Sequence, residues 1–193
     1  TYHPTPLTVM DNPWIQWCVV LPRDISGPEY APIHRFGPAA LSALGMWTGM
    51  THMEWFRRPD GSIAIGEVAA RPPGAQFVSL LSWAHDRDMY DAFARLMVFE
   101  QFEPPARKYA VAAVYLRGQG GDGAGKVRRV HGYDAIEREF GGLIVESRIP
   151  RVGQVKSTSY EGEGFVIVRH PETEVVSRAA DRILTTVRVE LGD

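Results

Sequence analysis

Residues 44–76 read LGMWTGMTHMEWFRRPDGSIAIGEVAARPPGAQ, and the rest of the chain is best understood outward from them. Two strand-like runs, Thr51–Arg57 and Ser62–Arg71, flank Pro59-Asp60-Gly61. Asp-Gly between such runs marks a β-hairpin, because the tight turns joining antiparallel strands need positive φ at their centre. With Asp60 and Gly61 as a two-residue loop, Pro59 pairs with Ser62. Counting back along both strands then sets Glu54 directly opposite Glu67. The same register puts His52, Glu54 and Phe56 on the face shared by Ile65, Glu67, Ala69 and Arg71. An odd-length loop, which Pro59 allows, would shift the register and separate the two glutamates.

Directly opposed side chains have Cβ atoms roughly 4.5–5.5 Å apart, and like charges so placed destabilise a sheet. Three arrangements relieve the repulsion: protonation of one carboxyl, an arginine bridging the pair, or a divalent cation between them. Carboxylate oxygens are hard ligands that favour Mg²⁺ or Mn²⁺, with substrate phosphates completing the coordination. Arg71, beyond Glu67 on the same face, would add a fork-shaped donor for phosphate or carboxylate. A surface hairpin carrying two solvated glutamates satisfies the same spacing, so the geometry suggests a site without identifying it.

Around the hairpin the pattern is mixed. Trp14–Leu21 is apolar, β-branched and aromatic and reads as a strand. Tyr30–Leu44 has helical composition in its second half, with Pro38 starting or kinking the helix and Gly45 ending it. Ala75–His85 is an apolar helix. Asp88 caps the next one, with Met89, Phe93, Leu96 and Met97 on one face. After Glu103-Pro104-Pro105, short strands are expected at Lys108–Leu116, Lys126–His131, Leu143–Ile149 and Gly164–Val168, with a short helix at Tyr133–Phe140. Thr173–Val187 is an amphipathic helix with Val175, Val176, Ala179, Ala180, Ile183, Leu184 and Val187 along one apolar stripe. Without regular βαβ alternation, the expected fold class is α+β built on antiparallel sheets.

The 193 residues suit one ordinary domain or two small ones, and 45% hydrophobic with 23% charged residues is a globular composition. A formal net charge of −2 gives no global attraction to nucleic acid or anionic membrane. No apolar run approaches the ~18–20 residues of a membrane span. The single cysteine, Cys18, excludes an internal disulfide and any multi-cysteine zinc site, and fits a reducing, cytoplasmic setting. The opening Thr1-Tyr2-His3-Pro4-Thr5-Pro6 has no initiator methionine and reads as the middle of a longer protein.

The stretch Leu44–Gln76 resembles the metal-binding hairpin of ATP-grasp carboxylate–amine ligases, in the branch of L-amino-acid ligases and carbamoyl-phosphate-synthase-like enzymes. That family shows a glycine turn after a helix, a strand with a glutamate, a turn, and a second strand ending Glu-x-Asn-x-Arg-Pro-Gly-Gly. The matching residues are Glu54, Glu67, Arg71, Pro72 and Gly74. The resemblance implies that Glu54 and Glu67 hold Mg²⁺ (or Mn²⁺) bridging the phosphates of ATP, and that Arg71 contacts the transferred phosphate or acyl phosphate. It implies an ATP-grasp C-terminal subdomain over residues 1–105, incomplete at its start, and a small α+β module over residues 106–193. Lysines for the phosphates, a flexible glycine-rich loop and an adenine hinge would then lie in a missing N-terminal part of the same protein. One departure is Ala69, where the family carries an asparagine ligand; a water in its place, or a weakened site, would follow.

The implied activity is ligation of a small-molecule carboxylate to an amine through an acyl phosphate made with ATP. His52, on the glutamate face, would orient substrate or act as acid–base, or simply be hydrogen-bonded beside the site. Gln76, at a helix start after Pro72-Pro73-Gly74, would contact ATP or the substrate carboxylate. The rival reading is a non-catalytic module that binds a ligand or partner through a degenerate site. Oligomeric state stays open, a homo-oligomer included.

Other motifs are weaker. Gly120–Lys126 fits the first seven positions of a phosphate-binding P-loop, but Val127 stands where Ser or Thr must bind Mg²⁺, and a strand pattern follows. His52-Met53-Glu54 resembles a zinc-deaminase motif without the paired cysteines. The five tryptophans are expected in the core or at an interface. Glu161 and Glu163 lie in a glycine-flanked turn.

Overall fold

Ala110–Leu116, AVAAVYL, carries no charged residue and is buried along its whole length, as a strand covered on both faces must be. It is β5 of the computed structural model, which describes residues 1–119 and 125–192 and divides into two units. One comprises Thr1–Arg23 with Arg107–Asp193, the other Asp24–Ala106.

In the first unit β5 lies at the centre of a five-stranded antiparallel sheet. The order is β1 (Tyr2–His3), β2 (Trp17–Leu21), β5, β9 (Gly164–His170), β8 (Ile144–Arg148). Helix α6 (Thr173–Thr186) buries Val176, Ala179, Ala180 and Ile183, the expected one-sided stripe, in a core shared with Val114, Leu116, Val166 and Val168. Helix α5 (Tyr133–Phe140) adds Ile136 to the same core. A second sheet runs β6 (Gly118–Gln119), β10 (Arg188–Gly192), β7 (Lys126–His131). Its β6–β10 pairing is parallel, so the sheets are not purely antiparallel as expected.

The division proposed between residues 1–105 and 106–193 needs correction at its first end. The junction after Ala106 is close to the expected one, but Thr1–Arg23 belongs with the later segment. The reason is the ladder Trp17↔Tyr115 through Leu21↔Val111, which seats β2 against β5. Helix α1 (Pro6–Asp11), capped by the Thr5 hydroxyl, precedes β2 and was not expected, nor were β1, β6 and β10.

The second unit holds α2 (Ala31–Ala43), the hairpin β3 (His52–Arg57) and β4 (Ile63–Ala69), then α3 (Phe77–His85) and α4 (Met89–Phe99). Pro38 lies inside α2, and Gly45, at φ +74°, follows its end. Asp88 caps α4, its Oδ1 accepting from the amides of Tyr90 and Asp91. Val78, Met89 and Ala92 form a core with Met50 and Leu81.

Of the tryptophans only Trp17 is buried; Trp14 and Trp47 are exposed, because their loops lie outside both cores. Cys18 is inert: it is buried, and desolvation pushes its thiol up to about 12. Residues 120–124 of the P-loop-like segment lie outside the described residues, and the strand β7 follows it in place of a helix. Glu163 is structural: its buried carboxylate accepts from the amides of Gly118 at 2.6 Å and Ser157 at 2.8 Å. Among the described residues no helix is long and apolar enough to cross a membrane.

Candidate functional site

The turn joining β3 to β4 is the odd-length alternative. Arg58 donates to the Ser62 carbonyl at 2.8 Å, and Pro59, Asp60 and Gly61 make a three-residue loop, with Gly61 at φ +82°. This is the hairpin built on a tight turn followed by a glycine in the left-handed region. Asp60 secures it, its Oδ1 accepting from the Ser62 amide at 2.9 Å and hydroxyl at 2.7 Å.

That loop alone would set Glu54 opposite Gly66. A bulge prevents it. Arg57 pairs with Ile63, Phe56 with Ala64 and Trp55 with Ile65; the register then shifts, and Glu54 pairs with Glu67, Met53 with Val68 and His52 with Ala69. Gly66 is the extra residue, in the strand position where a side chain is most readily dispensed with. The three-residue loop and the bulge thus cancel. The expected pair Glu54–Glu67 stands, but Phe56 opposes Ala64, and Ile65 opposes Trp55 instead of joining the glutamate face.

Both glutamates are exposed. Among the described residues neither pairs with a lysine or arginine; the one ion-pair contact is His52 Nε2 to Glu54 Oε1 at 4.0 Å. The arginine-bridged solution to the like-charge problem is therefore not the one adopted. Two opposed, unbridged carboxylates fit a Mg²⁺ or Mn²⁺ ion that takes one or two protein carboxylates and fills its shell with phosphate oxygens and water. Among the described residues no three His, Cys, Asp or Glu side chains gather as a metal-binding set.

His52 lines up with Ala69 across the hairpin, its ring 6.2 Å from that of Phe77. Its Nδ1 is buried without a hydrogen-bond partner among the described residues. Arg71 lies beyond the end of β4, so strand alternation no longer fixes its face; it is exposed, and its guanidinium donates to the Pro72 carbonyl at 3.1 Å. Gln76 is the residue before α3, at φ 62°, and its carbonyl accepts from Leu80. Ala75 precedes it at φ 51°. Two consecutive non-glycine residues in the left-handed region, each costing of order 1–3 kcal/mol, are a feature that nothing in the sequence signals.

No protein-family model and no curated protein matches the sequence. Solved structures do match. An L-amino acid ligase from Bacillus licheniformis superposes on 91% of this chain with a TM-score of 0.73 at 16% identity. An N5-carboxyaminoimidazole ribonucleotide synthetase from Thermotoga maritima does so on 92% with a TM-score of 0.65 at 18% identity. The ADP complex of an N5-carboxyaminoimidazole ribonucleotide synthetase matches 89% with a TM-score of 0.54 at 15% identity. The chain spans 46%, 46% and 41% of these structures, less than half of each. The fold is that of the matched part of these ATP-grasp ligase structures, as the hairpin led one to expect.

Proposed function

We propose that this chain is part of an ATP-dependent carboxylate–amine ligase and supplies its metal- and phosphate-binding hairpin. The observation that carries the reading is the pairing of Glu54 with Glu67, two carboxylates held opposite each other by a bulge, with no lysine or arginine paired to either among the described residues. The fold supports the reaction class, since the similar structures include two kinds of ligase or synthetase and an ADP complex.

In this reading Glu54 and Glu67 hold Mg²⁺ or Mn²⁺ against the phosphates of ATP. The ion, when bound, neutralises phosphate charge. Arg71 reaches the transferred phosphoryl group with its exposed guanidinium, as a planar fork suited to phosphate oxygens. His52 orients the carboxylate substrate or moves a proton beside Glu54, and Gln76 meets ATP or that substrate at the start of α3. The substrate carboxylate attacks the γ-phosphate to give an acyl phosphate and ADP, and the amine then displaces phosphate. Such transfer depends chiefly on positioning and charge neutralisation, which this hairpin supplies in part. The remaining nucleotide contacts come from the portion of the complete protein outside this chain, and the setting is cytoplasmic.

Ala69 favours one alternative, a ligand-binding module whose metal site has decayed, because it contributes no oxygen where the family's hairpin has one. Titration of Mn²⁺ with and without ATP, on this chain and on the complete protein, separates the two. Glu67→Gln, which removes a direct ligand, should weaken Mn²⁺ by at least the roughly 10–100-fold that loss of an outer-shell partner costs. Equal affinity in the native protein and in Glu67→Gln would remove the basis of the ligase reading.

A further inference from the structure

Helix α4 reads MYDAFARLMVF; only Asp91 and Arg95 are charged, and the Tyr90 hydroxyl is its one other polar side-chain group. A helix apolar nearly all round is as a rule covered nearly all round. One stripe is covered: Met89, Ala92 and Leu96 are buried, the first two in the core with Val78. The other side is open. Met97, expected on the buried face, is 60% exposed and Val98 69%, with Tyr90 and Ala94 exposed as well. Tyr90, Ala94, Met97 and Val98, spaced i, i+4, i+7 and i+8, make a second apolar stripe that faces away from the first. Phe99 and Phe102, at and just past the helix end, are exposed too. Single exposed apolar side chains are ordinary, but a contiguous stripe marks a contact surface.

We infer that this stripe is the docking surface for a second copy of the chain, whose own α4 lies antiparallel across it. When identical helices pair antiparallel about a twofold axis, each flank meets the same flank of the partner and each end meets the opposite end. The stripe suits that geometry. Ala94 is midway between Tyr90 and Val98, so it sits at the axis, where its small side chain lets the two helices approach closely. Tyr90 then packs on the partner's Val98. Asp91 and Arg95 border the stripe on one flank and are ion-paired within their own helix at 2.9 Å. Across the axis each Asp91 meets the partner's Arg95, so the flank is complementary to itself and the two ion pairs join in one network. Parallel helices would set that flank against the opposite, uncharged one and leave the match unused. Because Asp91 offsets Arg95, the stripe offers an anionic lipid surface no excess of positive charge. A helix of 11 residues is about 16 Å long, a footprint below the roughly 1,600 Å² of a standard interface, which sets the expected affinity in the micromolar range. All of these residues lie in the Asp24–Ala106 unit and none belongs to the glutamate site, so the inference is independent of the ligase reading.

Sedimentation equilibrium of this chain, and of the complete protein, should show a dimer that dissociates in the micromolar range. Val98→Asp, at an exposed position, should weaken it at least about ten-fold, since a carboxylate would then be pressed against the partner's Tyr90, while the dispersed amide spectrum of the fold stays unchanged. Charge exchange reads the geometry itself. Asp91→Arg makes the flank wholly basic and Arg95→Asp makes it wholly acidic. Each variant alone should self-associate about ten-fold more weakly, and an equimolar mixture of the two should recover the dimer as a heterodimer. A monomer at every concentration, a dimer indifferent to Val98→Asp, or exchanged variants with no preference for each other would overturn the proposal. So would a dimeric chain within a monomeric complete protein, because the rest of that protein would then cover α4. Metal titration of the hairpin is unaffected by any of these results.

Discussion

Ala69 faces His52 across the hairpin and lies two residues beyond Glu67, where a side-chain oxygen would stand beside both glutamates. If water fills that position, supplying the oxygen from the protein should tighten the ion, because an ordered ligand is then already in place. Ala69→Asn is expected to raise Mn²⁺ affinity several-fold in the same titration; weaker binding would mean the site is not organised around that residue. Asp60 makes a second prediction. The hydrogen bonds from Ser62, the hydroxyl foremost, hold its carboxyl below the ordinary value of 3.8. A depressed carboxyl stabilises the fold above its unfolded value, and that contribution disappears as pH falls through the folded one. The difference in melting temperature between the native protein and Asp60→Ala should therefore shrink between about pH 7 and about pH 3. A constant gap would show that the turn does not depend on the charge.

Elements depend on a few residues where the backbone leaves no choice. Helix α5 begins after Gly132, at φ +78°, and a Cβ there would lie 2.3 Å from the Thr186 carbonyl at the end of α6. Neither obstacle can rotate away, since one is backbone conformation and the other is backbone oxygen. Gly132→Ala should cost about 1–3 kcal/mol in urea unfolding. At the other unit's α4, Asp88→Ala removes the acceptor for two amides and should cost about 1 kcal/mol, read as faster hydrogen exchange through its first turn. The hairpin shows the same dependence in another form. Its glutamates meet only because a three-residue loop and a one-residue bulge displace the register in opposite senses.

For the whole molecule, the notable fact is that the first unit is assembled from two distant pieces of chain. Strand β2 lies between β1 and β5, so residues 107–193 without the first 23 would present the apolar edge of β5 to solvent. Unpaired edges of that kind template aggregation. A fragment of residues 107–193 should give a poorly dispersed amide spectrum, and adding a peptide of residues 1–23 should restore dispersion. A well-folded fragment on its own would contradict the pairing.

Much of this protein was legible in its sequence, because the decisive signals are local. Alternation and turn chemistry marked β3, β4, β5 and β7, the helical period marked α4 and α6, and the opposition of Glu54 and Glu67 was expected from a two-residue Asp-Gly loop, although a three-residue loop and a bulge produce it. The strands that were missed, β1, β6 and β10, are short or polar and exist only through partners far along the chain, so no window of sequence carries them. The left-handed pair Ala75–Gln76 was invisible for the same reason: it is backbone conformation imposed by its surroundings. The sequence by itself determined that a hairpin forms here and that Glu54 meets Glu67, while the pairs nearer the turn differ from the expected register. Tertiary structure decided how, through a bulge at Gly66, and which segments share a core, since long-range pairing depends on contacts that no local pattern records.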